Sequence, residues 1–126
     1  MIRAVALALV IGGISTTASA QQVSSATGAL MRGLDKVSGE IVDMEIATGG
    51  STVFGDLRVS LTECRYPADN PAGEGFAFVQ VQKISASAGQ APLFGGWMMA
   101  SAPALNALDH PRYDVWVLRC KTPAAE

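Results

Sequence analysis

The chain has 126 residues, with nine basic and eleven acidic side chains, a formal net charge of −2, one histidine and two cysteines. That length suits a single domain with one hydrophobic core. With no basic run and an acidic balance, nucleic-acid binding and anionic-membrane binding both lose their electrostatic driving force.

Residues 1–20 read as a signal peptide. Arg3 supplies a short positive n-region, Ala4 to Ile14 the apolar h-region, and Ala18-Ser19-Ala20 the small-residue cleavage site. The apolar run is too short for a membrane span, which needs roughly 20 residues. Charges interrupt every later apolar run, so no membrane insertion is expected after cleavage. The mature chain would begin at Gln21, carry eight basic against eleven acidic residues, and reside in the periplasm or outside the cell.

Residues 21–27, QQVSSAT, are small and polar and suggest a flexible arm. A single β-rich domain is predicted over residues 28–121, followed by a polar tail at 122–126. Gly28 to Lys36 reads as a first strand or extended segment, and Asp35 to Gly39 as a turn. From Glu40 to Ala47, Val42, Met44 and Ile46 alternate with Asp43 and Glu45, the period of a half-buried strand. Thr48-Gly49-Gly50-Ser51 supplies a hairpin signal. Thr52-Val53-Phe54 is a short strand that ends at Gly55.

Asp56 to Cys64 alternates most cleanly, with Leu57, Val59 and Leu61 on one parity. Cys64 falls on the other parity, which implies a bulge or a disulfide at the rim. Arg65 to Gly75 is a loop with two prolines and two glycines. Phe76 to Ile84 is apolar on both parities and suggests a central strand covered on both sides. Pro92 to Ala100 holds Trp97 beside Gly95-Gly96, paired glycines that suggest a bulge or a close approach. Ser101 to Asp109 gives one short helical turn, with Ser101 as cap and Leu105 and Leu108 three apart. Tyr113 to Cys120 is the last strand, with Trp116 as a core residue. The class is therefore all-β, a small β-sandwich or partly open barrel of six to eight short strands, with one disulfide.

The disulfide joins Cys64 to Cys120, as an even cysteine count in an exported chain implies. It closes a 57-residue loop, for which chain-entropy reasoning gives about 4 kcal/mol. The densest polar cluster runs from Asp109 to Asp114. A catalytic reading makes His110 a general base, oriented by Asp109 or Asp114, with Ser101 as nucleophile. No Gly-x-Ser-x-Gly elbow supports it, and a tight corner needs such polar groups for its own backbone. A single histidine with both thiols oxidised gives no metal site, and no cofactor motif is present. For binding, the candidates are Trp97, Asp109, His110 and Tyr113.

The opening ATGALMRGLDKVSGE, the middle LRVSLTECRYPADNPAGEGFAFVQV and the closing FGGWMMASAPALNALDHPRYDVWVLRC together span nearly all of the mature chain. In these segments the sequence resembles domain of unknown function 2155, a small exported bacterial family. Ala102 departs from the serine expected there. The resemblance implies the compartment and the extent of the domain, and supplies no catalytic residue. The functional expectation is a non-enzymatic domain that binds an envelope protein or a cell-wall glycan. The alternative is a small envelope hydrolase using His110 with Asp109 or Asp114.

Overall fold

The computed structural model describes residues 12–15 and 17–123. Most of the segment expected to be a signal peptide, and residues 124–126, lie outside the described residues. Among the described residues eight strands follow one another: β1 (Val23–Ser25), β2 (Gly28–Asp35), β3 (Ile41–Ala47), β4 (Ser51–Phe54), β5 (Leu57–Pro67), β6 (Phe76–Lys83), β7 (Phe94–Met99) and β8 (Tyr113–Lys121). All the pairings are antiparallel. One sheet runs β1-β5-β6-β7, with β4 pairing to β5 as well; the other runs β3-β2-β8. The expected all-β class, a sandwich or partly open barrel of six to eight strands, is present, with its strands in two antiparallel sheets.

The core lies between the sheets. Met31 from β2 and Val117 from β8 meet Leu57, Val59 and Leu61 from β5 and Val79 and Val81 from β6, all fully buried. Every second residue of these strands is apolar, so each strand loses one face to the interior and keeps the other for solvent. Burial of this apolar surface is the main favourable term in the fold.

Two bulges shape the sandwich. In β5, Leu61 pairs with Val79 and Glu63 with Phe78, which leaves Thr62 as the extra residue. Its insertion reverses the parity, so Cys64 points inward after Leu57, Val59 and Leu61. In β8, Leu30 of β2 pairs with Arg119 while Met31 pairs with Val117, which leaves Leu118 extra. The same reversal turns Cys120 inward after Tyr113, Val115 and Val117. Cys64 and Cys120 form the disulfide, which joins the two sheets.

Several expectations change. The turn at Thr48 to Ser51 is present, with Gly49 at φ 82°, but it does not close a hairpin. It carries the chain from β3 in one sheet to β4 in the other. The tight hairpin is β4–β5, where Phe54 pairs with Leu57 across Gly55 and Asp56. Gly55 takes φ 56°, the geometry a two-residue turn requires at its first central position. Val23–Ser25, expected within a loose arm, pairs with Arg65 to Pro67 along the edge of β5. Trp116 is not core. It lies on the outer face of β8 opposite Arg32 and is only half-buried, because Tyr113, Val115 and Val117 take the inner parity. Ser101 to Asp109 forms turns rather than a helix, closed by hydrogen bonds from Ala102 N to Met99 O and from Leu105 N to Ala102 O. Leu108 is buried while Leu105 is exposed, so the two do not share a face. Gly95 and Gly96 keep register with Gln80 and Val79 without a bulge. Gly96 instead permits the close approach of Asn106, whose Nδ2 would lie 2.9 Å from an added Cβ.

Candidate functional site

The Thr62 bulge that turns Cys64 inward also turns Glu63 and Arg65 outward. Their neighbours across β6 are Phe78 and Phe76, and across β6–β7 Phe78 faces Trp97 and Phe76 faces Met99. The inner face of β6 is packed against the second sheet. Among the described residues no further sheet covers its outer face, where these rings lie half-buried. The expectation of a strand covered on both sides is thus corrected: the apolar residues of the second parity build an external cluster.

Trp97 sits at its centre, 38% exposed. Its ring meets Phe78 edge-on at 5.3 Å and 78°, an arrangement favoured by the ring quadrupoles. The Arg65 guanidinium lies 5.3 Å from the ring centroid, a cation–π contact worth roughly 0.5–1 kcal/mol at an exposed site. Arg65 also donates to both carboxylate oxygens of Glu63, at 3.1 and 3.0 Å. Arg65 thus contacts both Trp97 and Glu63 while its side chain stays 44% exposed.

Around Trp97 lies a groove of about 470 Å³. Val23, Phe76, Trp97, Met99 and Leu105 give it apolar walls, and Arg65, Asn106 and Gln21 supply its polar groups. The corner after β7 holds the far wall. Asn106 Nδ2 donates to Trp97 O at 2.8 Å, and buried Leu108 anchors the same segment. Glu74 ties the corner to the β5–β6 loop, accepting from Ser101 N at 3.0 Å and from Ser101 Oγ. Burial pushes the Glu74 carboxyl up, but the hydrogen bonds from Ser101 and the nearby backbone outweigh it and hold it below the ordinary range.

The other candidates fall elsewhere. Tyr113 is 4% exposed and packs edge-on against Phe54 in the core. Buried in this way it offers no binding surface. His110 is half-buried, with Nδ1 accepting from Arg112 N at 3.0 Å and Tyr113 N at 3.1 Å. The corner's own backbone thus occupies Nδ1, the nitrogen through which a carboxylate would orient the ring. Asp109 is exposed and Asp114 half-buried. Ser101 is engaged by Glu74 rather than by His110. The Ser–His–Asp constellation is therefore not assembled. His110 borders a second cavity with Asp56, Lys83 and Ile84, separate from the Trp97 groove. Among the described residues no group of three or more His, Cys, Asp or Glu side chains could hold a metal.

Sequence reasoning singled out Trp97 but missed Arg65, Glu74 and Asn106. The parity break at Cys64 was the available signal for Arg65: a bulge that redirects Cys64 redirects its neighbours as well. A further ion pair was also missed. Arg112 Nε and Nη2 donate to the Asp35 carboxylate at 3.2 and 3.0 Å. Asp35 accepts from Val37 N and Ser38 N as well, and its carboxyl is lowered to about 2, chiefly by Arg112.

Comparison with known proteins gives the chain's relationships. "Uncharacterized protein RP359" of Rickettsia prowazekii (strain Madrid E) is 22% identical over 87 residues, which cover 69% of this chain and 56% of that relative. The chain thus spans little more than half the length of the curated relative it matches. No solved structure matches. The profile of a bacterial family matches residues 29–120, from the first core residue of β2 to the second disulfide cysteine. The chain belongs to this family, described as "Uncharacterized protein conserved in bacteria (DUF2155)".

Proposed function

We propose that the protein is a non-catalytic binding module of the cell envelope. In this reading the Trp97 groove takes an apolar segment of a partner protein. The observation that carries it is the outer face of β6–β7, where Phe76, Phe78, Trp97 and Met99 lie together with Arg65 stacked over the tryptophan. Tryptophan, arginine, methionine and phenylalanine are the residue types enriched where proteins bind proteins. A glycan site needs several polar groups aimed at sugar hydroxyls, whereas this groove has mostly apolar walls and its arginine is already paired. The Cys64–Cys120 disulfide supports an exported location, since such bonds persist in oxidising compartments.

Photocrosslinking in living cells tests the reading. A photoreactive residue replacing Leu105, 73% exposed at the groove wall, is expected to give a discrete protein adduct. That adduct should vanish in Trp97→Ala and be absent when the probe replaces Val37, exposed on the β2–β3 turn. Identical adducts from both positions, or attachment only to cell-wall glycan, would sink the proposal.

A further inference from the structure

We infer that Gln21 is a modification site: once freed by cleavage after Ala20, it closes to pyroglutamate and forms a neutral end wall of the Trp97 groove. The inference rests on the export and groove function proposed above. Residues 17–20 are exposed and lie outside any strand, so scission there breaks no strand pairing. Gln21 itself is exposed, sits two residues before β1 and lines the groove with Arg65 and Trp97. Its neighbour Gln22 is anchored, its carbonyl accepting from Ala68 N at 3.0 Å. The chain therefore holds Gln21 at the groove while no strand pairing constrains its side chain.

The chemistry is self-contained. Cleavage releases the α-amine of Gln21. Its lone pair attacks the side-chain carboxamide carbon Cδ, a bond forms between the α-nitrogen and Cδ, and the Cδ–Nε2 bond breaks. Nε2 leaves as ammonia, taking up a proton lost from the α-nitrogen. The product is a five-membered lactam, and the step needs no oxidant, cofactor or second substrate. Electrostatics favour the neutral form. An uncyclised α-amino group titrates near 8 and would be largely charged at neutral pH. Between the apolar walls such a charge is disfavoured by desolvation, and Arg65, already paired with Glu63, offers it no counter-charge. The lactam removes that charge and leaves one N–H donor, one carbonyl acceptor and a compact ring facing the apolar walls.

Mass spectrometry of the exported protein tests this, with cells quenched directly in acid so that cyclisation during purification is excluded. The N-terminal peptide is expected to begin at residue 21 and to be lighter by about 17 Da, one ammonia. Gln21→Ser should start at the same position with no mass loss. A peptide that begins at residue 21 with an intact amine overturns the inference while leaving export standing. A peptide that begins elsewhere overturns both the cleavage site and the inference built on it.

Discussion

Asp35 and His110 show how polar side chains serve the corners of this fold. Asp35 is ordinarily a carboxyl of pKa about 3.9, and Arg112 holds it at about 2 in the folded state. Its ion pair therefore contributes stability at pH values above the unfolded-state pKa. That contribution is lost as pH falls through the folded-state value. Thermal melts across pH 5 to about 2 should show Asp35→Asn less stable at the top of that window and converging on wild type at the bottom; a constant offset would contradict the pairing. For His110, truncation to alanine strands the part-buried Tyr113 N–H, a loss of about 1–3 kcal/mol in urea denaturation. Binding at the Trp97 groove should be unchanged, since His110 borders a different cavity. Arg65→Ala, by contrast, should alter stability by less than about 1 kcal/mol. It should weaken partner binding at least tenfold, read as loss of the Leu105 adduct, because it removes the charge stacked on Trp97.

Strand parity explains what could be read in advance and what could not. The alternation of Val42, Met44 and Ile46, and of Leu57, Val59 and Leu61, was legible because each strand buries one face. In β8 both parities are apolar, Trp116 and Leu118 on one and Val115 and Val117 on the other, so periodicity alone cannot choose. The choice is made by the Leu118 bulge, which brings Cys120 onto the parity of Val117. Pairing partners were equally hidden. The glycines at 49 and 50 mark a turn, yet whether that turn closes a hairpin or changes sheets depends on where β5 lies. The β4–β5 turn offers a direct test. In Gly55→Ala, the new Cβ would sit 2.5 Å from Tyr113 Oη at a positive φ. A loss of about 1–3 kcal/mol is expected by chemical denaturation; an unchanged midpoint would contradict the geometry.

The molecule as a whole is two sheets fastened by one covalent bond, with the Trp97 groove on the outside of the larger sheet. The same bulge serves both features, since Thr62 points Cys64 at Cys120 and Arg65 at Trp97. Replacing both cysteines by serine should lower the unfolding free energy by about 4 kcal/mol, as closure of a loop of this length implies. In Trp97→Ala the disulfide and core should persist while binding is lost, which separates the groove from the scaffold beneath it. The most direct test of the groove is amide chemical-shift mapping. The titrant would be a peptide selected by display on the wild-type protein and counter-selected against Trp97→Ala. Shifts are expected at Val23, Arg65, Phe76, Trp97, Met99 and Asn106, with none around Asp56, Lys83 and His110. Shifts centred on His110, or failure to select any Trp97-dependent peptide, would contradict the account.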